Sequence, residues 1–165
     1  MQQRWISLYV ENDIGVLAKV SGLFSGKAYN LESLTVGTTE DETVSRMTIR
    51  LRSDDSTFEQ IKKQLNRCVE VIKVIDFTNN SIHMKELLFV KIKKCSKSDM
   101  DDLFRIAEVF HVSIIDCDRD SVILECVQTE NKNNDMINLL SDSFKNIEVV
   151  RGGSVAIESI SMTER

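Results

Sequence analysis

The chain of 165 residues lacks several features that mark membrane, secreted and nucleotide-binding proteins. No apolar run approaches the roughly 18 residues that a membrane-spanning helix needs, and the Met-Gln-Gln-Arg start has no apolar secretion-signal core. Neither G-x-G-x-x-G nor the P-loop pattern G-x-x-x-x-G-K-[ST] occurs. Proline and low-complexity segments are absent too. We therefore expect a soluble, cytoplasmic protein without a nucleotide-binding loop.

Cysteine and histidine are few and scattered. The four cysteines have no C-x-x-C spacing, and the two histidines have no neighbours at metal-ligand spacing. The residues concerned are Cys68, Cys95, Cys117, Cys126, His83 and His111. These patterns favour reduced, packing-type thiols over disulfides, and they predict no metal site.

The net charge argues against a nucleic-acid-binding protein, and the lack of catalytic motifs argues against an enzyme. The net charge of -5 is unfavourable for nucleic acid, which is bound by clustered Lys and Arg. No Ser or Cys lies in a recognisable nucleophile setting, and no pair of carboxylates forms a cleft pattern. The sequence therefore predicts no catalytic residue.

Hydrophobic periodicity predicts a complete domain in residues 1–78. Alternation with period 2 predicts strands at 4–11 and 44–52, a nearly continuous β-branched run predicts one at 69–77, and a further strand is expected at 31–39. Helical spacing predicts a helix after the turn at 12–15, with Asn12 or Asp13 as its N-cap. The start signal Ser-Asp-Asp-Ser at 53–56 predicts a second helix. The order strand, helix, strand, strand, helix, strand is the split βαβ pattern of ferredoxin-like folds.

The same order repeats in the second half of the chain. After a polar linker at 79–85, strands are predicted at 86–93, 112–117, 121–129 and from 147 onward. One predicted helix is capped by Ser98-Asp99 and turns Met100, Leu103, Ile106, Ala107 and Phe110 inward, and a second spans 133–144. The predicted fold class is thus α+β, with two ferredoxin-like βαββαβ domains in tandem at residues 1–78 and 86–165.

The polar turn between the first strand and the first helix is the best candidate for a binding site. Backbone N–H groups in the first turn of a helix, together with its positive dipole end, favour an anion. We expect the carboxylate of a small effector to bind N–H groups near Gly15, Val16 and Leu17. The same turn chemistry also suits a simple helix cap, and the residue types alone do not exclude that alternative.

A free amino acid would need two further contacts. Its ammonium would need oxygen atoms, which Asn12 and Asn30 can offer, and its side chain would fill an apolar slot beside Leu17 or Leu31. Because a four-stranded sheet leaves one face and its edges open, a homodimer is expected. In such a dimer the turn of one copy can lie opposite the second strand of the other.

Three motifs in the first half together resemble a known family. They are Asn12-x-x-Gly15, Tyr29-Asn30-x-Glu32-Ser33-Leu34 and Ser45-Arg46-Met47. With them, the chain closely resembles the regulatory (small) subunit of acetolactate synthase, also called acetohydroxyacid synthase. The similarity continues more weakly through ELLFVKI at 86–92 and IIDC at 114–117.

The resemblance implies that residues 1–78 are an ACT domain, which binds an amino acid and pairs across a dimer. It implies that Asn12, Gly15 and Asn30 help to bind valine as a feedback inhibitor. It also implies a separate large subunit, which carries thiamine diphosphate, FAD and magnesium and condenses two pyruvates, or pyruvate with 2-oxobutyrate. This chain would need no cofactor of its own, and it would activate that subunit.

Two departures from the family pattern bear on regulation. Ala28 stands where the family usually has a glycine before Tyr-Asn, and the C-terminal RGGSVAIESISMTER lacks the closing Arg-Gly. A free-standing ACT-type sensor with another partner remains an alternative. An RNA-binding module fits the fold but not the surface, because the third strand SRMTIRLRS lacks stacking aromatics and the net charge is negative.

Overall fold

The computed structural model describes residues 1–27 and 29–160, and both tandem βαββαβ repeats are present. Ala28 and residues 161–165, which include part of the altered C-terminus, lie outside the described residues. The strands are β1 (Gln2–Glu11), β2 (Leu31–Thr38), β3 (Val44–Ser53), β4 (Val71–Asp76), β5 (Ile82–Lys93), β6 (Ser113–Cys117), β7 (Ser121–Gln128) and β8 (Ile147–Glu158). The helices are α1 (Val16–Ser25), α2 (Asp55–Leu65), α3 (Lys97–Phe110) and α4 (Glu130–Ser143).

Each repeat forms its own four-stranded sheet, and the two strand orders correspond. The first sheet has the order β2-β3-β1-β4 and the second β6-β7-β5-β8. Neighbouring strands pair antiparallel, as β1 does with β3 and β5 with β7. The predicted fold class is therefore confirmed.

The chain divides into two compact units, one formed by residues 1–83 and the segment that starts at Val155, the other by residues 84–154. The predicted linker at 79–85 is only partly a linker, because β5 begins at Ile82. At the same end of the second sheet, β8 continues to Glu158. Beyond the paired ends of these strands, the amide of Ser159 donates to the carbonyl of Ser81 at 2.9 Å.

The core of the first unit joins one face of its sheet to α1 and α2. Alternate residues of β1 and β3 that face the helices are buried, as period 2 requires when one face is covered, and Ser7 and Thr48 on the other face are buried as well. The buried helix residues Val20, Phe24 and Ile61 recur at helical spacing. One face of the sheet and the inner stripes of both helices therefore form this core.

The second unit has an equivalent core, with one polar exception and one error of prediction. Leu88, Val90 and Ile92 of β5 pack with Leu103 and other residues of α3 and α4. Asn133 of α4 is fully buried although it is polar. Phe110, predicted to face inward, is 41% exposed because it is the last residue of α3, where the helix leaves the sheet.

The N-cap of α3 is Ser96, not the predicted Ser98-Asp99. The hydroxyl of Ser96 accepts a hydrogen bond from the amide of Asp99 at 3.2 Å, and the carboxylate of Asp99 accepts from the amide of Ser96 at 2.7 Å. This reciprocal pair is a capping box, which satisfies two donors at the helix start. The prediction placed the cap two residues too late because Ser98 has the same residue type.

We expect Ser96→Ala to lower the free energy of unfolding by about 1 kcal/mol, the usual contribution of an N-cap side chain. Hydrogen bonds from the backbone and hydroxyl of Ser96 lower the pKa of Asp99, so the separate contribution of the Asp99 carboxylate is present above its unfolded-state pKa and is lost as pH falls through its folded-state pKa. Urea denaturation at neutral pH measures the change. Ser98→Ala is the matched control, and an equal loss in both variants would contradict the assignment of the cap.

Candidate functional site

The turn from β1 into α1 is built on a glycine in the left-handed conformation. Gly15 is the N-cap of α1, with φ 86° and ψ -8°, and its carbonyl accepts from the amide of Lys19 at 2.9 Å. The predicted N-cap, Asn12 or Asp13, is therefore wrong. Because residues with a Cβ rarely adopt this conformation, Gly15 is the residue that lets the strand turn directly into the helix.

Asn12 anchors the turn to β3 instead of capping the helix. Its Nδ2 donates to the carbonyl of Glu42 at 2.8 Å, and its Oδ1 accepts from the hydroxyl of Ser45 at 2.9 Å. Its backbone amide donates to the carbonyl of Thr43 at 2.7 Å. These partners lie 30 or more residues away, so no local pattern could reveal them.

The N-terminal end of α1 has no side-chain cap. The carboxylate of Asp13 accepts from the amide of Ile14 at 2.7 Å, which lies before the helix begins. By contrast, α2 is capped by Asp54, whose carboxylate accepts from the amide of Thr57 at 2.8 Å. The first turn of α1 therefore presents backbone N–H groups to which no side chain bonds, as an anion site requires.

The apolar residues around this turn differ in what they can offer a ligand. Val16 is 4% exposed and belongs to the core, so it can contribute only its backbone. Leu17 is 44% exposed, and its side chain can contact a ligand. Ile14, which was not among the predicted site residues, is almost fully exposed beside Gly15. Its only sequence signal is an isoleucine inside a polar turn.

Within one chain, the structure does not bring Asn30 and Leu31 to this turn. They precede and begin β2, near the C-terminal end of α1, where the amide of Tyr29 donates to the carbonyl of Phe24. Ten helical residues separate the two ends of α1 by about 15 Å. A pocket that contains both Gly15 and Asn30 therefore needs two copies of the chain.

Charges around the turn are mixed. Lys19, one turn into α1, forms an ion pair with Glu70, and this hydrogen bond raises the pKa of Lys19 and lowers that of Glu70. Glu11 and Asp13 lie close enough to raise the pKa of Lys19 further. The turn thus combines helix N–H groups that have no side-chain cap with nearby carboxylates, a combination that can receive both ends of a zwitterion.

The cysteines and the possible metal ligands give this turn no thiol or metal chemistry. All four cysteines are free, and burial raises the pKa of Cys126 to about 11. Cys117 is exposed, which differs from the packing role predicted for it. Over the described residues, no group of three His, Cys, Asp or Glu side chains could hold a metal ion. In the same part of the chain, no helix has the length and hydropathy to span a bilayer.

Comparison with known proteins identifies the family. Residues 6–73 match the family model described as the AHAS small subunit-like ACT domain, and residues 85–160 match that of the small subunit of acetolactate synthase. The chain belongs to the acetolactate synthase small-subunit family. Its first repeat is an ACT domain, and members of this family are non-catalytic subunits of acetolactate synthase.

Similarity extends over nearly the whole chain. The acetolactate synthase small subunit of Aquifex aeolicus is 39% identical over 92% of this chain and 79% of its own length. The acetolactate synthase isozyme 3 small subunit of Escherichia coli is 37% identical over 94% of both chains. The crystal structure of the small subunit from Thermotoga maritima superposes with a TM-score of 0.87 at 33% identity, covering 98% of this chain and all of the other. The resemblance found in the sequence is thereby confirmed.

Proposed function

We propose that this chain is the subunit through which valine regulates acetolactate synthase: it activates the large subunit and confers feedback inhibition by valine. The observation that carries the proposal is the start of α1 at Gly15, which has no side-chain cap and a left-handed backbone with open space where a Cβ would stand. An ACT-family regulatory subunit with such a turn has the polar half of an amino-acid site.

The chemistry of the turn suits a free amino acid better than a simple anion. The helix N–H groups at Val16 and Leu17 would take the carboxylate, while Asp13 and Glu11 would favour the ammonium. The exposed side chains of Leu17 and Ile14 offer an apolar surface for an isopropyl group. Asn12 would hold the turn in place through its hydrogen bonds to Ser45 and Glu42, and backbone groups would bind the effector.

The second part of the site would come from another copy. Asn30 is exposed at the start of β2 and Leu31 is half-buried, so both can face a neighbour across a dimer. The proposed functional unit is therefore a homodimer, with each pocket formed by the turn of one copy and the β2 start of its partner. A Kd between about 1 mM and 1 μM, or roughly -4 to -8 kcal/mol, is within reach of such contacts.

The proposed partner is the large subunit of acetolactate synthase. It would carry thiamine diphosphate, FAD and magnesium, and this chain would contribute no cofactor. Valine would then act by favouring the less active state of the complex. Because coupling between two sites is reciprocal, the activated state of the large subunit must weaken valine binding by the same factor.

Reconstitution tests the proposal. Purified large subunit is assayed alone, with this chain, and with this chain plus valine, while calorimetry follows the binding of valine, leucine and isoleucine to this chain alone. We expect added chain to raise the activity, valine to lower it again, and valine to bind in the stated range. Valine binding without association with the large subunit would instead support the free-standing sensor, and no binding of any of the three amino acids would overturn the effector site.

A further inference from the structure

Ser45, the first residue of the motif Ser45-Arg46-Met47, is buried near the start of β3, with only 6% of its surface exposed. Its neighbour in register on β1 is Val10, which belongs to the core that joins the sheet to α1 and α2. Residues directly opposite each other in an antiparallel pair share a face of the sheet. Ser45 therefore lies on the helix side, at the end of the sheet where the chain leaves β1 and turns into α1.

The hydroxyl of Ser45 is bonded to the side chain of Asn12. It donates to Oδ1 of Asn12 at 2.9 Å, and this bond satisfies a hydroxyl whose burial would otherwise cost free energy. At the other end of the same amide, Nδ2 of Asn12 donates to the carbonyl of Glu42 at 2.8 Å. Because an acceptor and a donor of the amide are both engaged, the side chain of Asn12 has one defined orientation.

The backbone of Asn12 is held as well. Its amide donates to the carbonyl of Thr43 at 2.7 Å, just before β3 begins. The amide of Glu11 donates to the carbonyl of Glu70 at 2.9 Å, just before β4 begins. The end of β1 is therefore anchored on both sides up to Asn12.

The turn that follows Asn12 has few hydrogen bonds of its own. Ile14 donates to the carboxylate of Asp13 at 2.7 Å, and the amide of Val16 reaches the carbonyl of Asp13 only at 3.4 Å. Gly15 comes next with φ 86°, and glycine has more backbone freedom to lose than other residues. Among the hydrogen bonds of the described residues, those of Asn12 are the last before α1 that reach another strand or loop.

Ser53, at the opposite end of β3, provides a comparison within the same strand. It is 3% exposed and lies on the same side of the sheet as Ser45, because the two are eight residues apart. Its Oγ has no hydrogen-bond partner within the described part of the chain. The two buried serines of β3 thus differ in their contacts, and Ser45 is the one joined to the turn.

We propose that Ser45 is a positioning residue of the effector site. Through Asn12 it holds the turn from β1 into α1, so that the N–H groups of Val16 and Leu17 stand where the carboxylate of an amino acid binds. The proposal rests on the proposed function for the identity of the ligand, and it adds a residue that acts without touching that ligand. A turn already held in its binding conformation loses less entropy when the ligand arrives, so the affinity for valine depends on this hydroxyl.

Calorimetric titration of the full chain with valine tests the role of Ser45. We expect Ser45→Ala to raise the Kd about 10-fold, which corresponds to one hydrogen bond at about 1.4 kcal/mol. Ser45→Thr keeps a hydroxyl and should bring the Kd back close to the wild-type value. Ser53→Ala is the matched control and should leave the Kd unchanged, because it removes a buried serine hydroxyl that has no partner.

A double-mutant cycle separates positioning through Asn12 from a general loss of stability. If Ser45 acts through Asn12, Ser45→Ala should add no further change in the valine Kd to that of Asn12→Ala. Hydrogen exchange of the amides at 12–17, measured by mass spectrometry without valine, gives a readout that needs no ligand. Ser45→Ala should speed this exchange about 10-fold, whereas Ser53→Ala should not change it.

Three outcomes would overturn the proposal: equal valine Kd values in Ser45→Ala and Ser53→Ala, additive changes in the cycle, or unchanged exchange of the turn in Ser45→Ala. A wild type that binds neither valine, leucine nor isoleucine would instead overturn the effector site of the proposed function. The exchange data would still decide in that case whether Ser45 holds the turn.

Discussion

Gly15→Asp is expected to abolish inhibition by valine while activation of the large subunit survives. Aspartate would place a carboxylate where the effector's own carboxylate is proposed to bind, at the uncapped start of α1. A Cβ at Gly15 would meet no atom within 4 Å, so the start of the side chain has room, although φ +86° adds about 1 kcal/mol of strain. Inhibition curves of the reconstituted enzyme measure the effect.

Gly22→Asp is the matched control for this substitution. Gly22 lies on the same helix, and a Cβ there also meets no atom within 4 Å, but its backbone is helical and it is distant from the first turn. The control should keep valine inhibition within a few-fold of the wild type. If Gly15→Asp keeps it as well, the effector carboxylate does not bind at the start of α1.

Arg151→Met is expected to lower the free energy of unfolding of the second unit by about 3 kcal/mol. Glu86 is 4% exposed, and both its carboxylate oxygens accept from Arg151, at 2.8 Å from Nε and 2.7 Å from Nη2. Hydrogen bonding to Glu86 raises the pKa of Arg151. Removing the guanidinium leaves a buried carboxylate without its cation, and about a third of the Arg151 side chain is exposed, which places the loss at the lower end of the usual range.

Urea denaturation followed by circular dichroism measures this loss. Arg105→Met is the control, because Arg105 pairs with Asp102 on the exposed surface of the same unit and such pairs contribute little. Asn133 is the second donor to Glu86, at 3.0 Å, so Arg151→Met combined with Asn133→Leu should show non-additive losses. Equal stabilities of Arg151→Met and Arg105→Met would mean that the buried carboxylate is solvated in another way.

Local periodicity was sufficient to predict the element order. β3 is one residue longer than the strand predicted at 44–52. The helix predicted from the start signal at 53–56 begins at Asp55. Burial on one face imposes period 2 on a strand and 3.6 on a helix, so these elements are visible within a dozen residues. Errors arose at the ends, where Ser96 and Ser98 present the same capping side chain to a local pattern.

The candidate site was predictable only in part. The turn at 12–15 is a local feature, and its Gly15 stands out by residue type. The contacts of Asn12 with Ser45 and Glu42 were not predictable, because they join positions 30 or more residues apart. The sequence hypothesis placed Asn30 opposite the turn only across a dimer, and within one chain the fold sets the two at opposite ends of α1.

Sequence alone therefore determined the two βαββαβ repeats, the ACT-type first half and the family, because all three depend on short-range patterns and matched motifs. Only the tertiary structure decided that Gly15 and not Asn12 begins the helix, that Asn133 is buried against Glu86, and that Ser45 bonds to Asn12. Each of these depends on which distant residues the fold brings together. The backbone conformation of Gly15, the partner of a buried carboxylate and the partner of the Asn12 amide are all set when the strands pair. None of the three can be read from neighbouring residues alone.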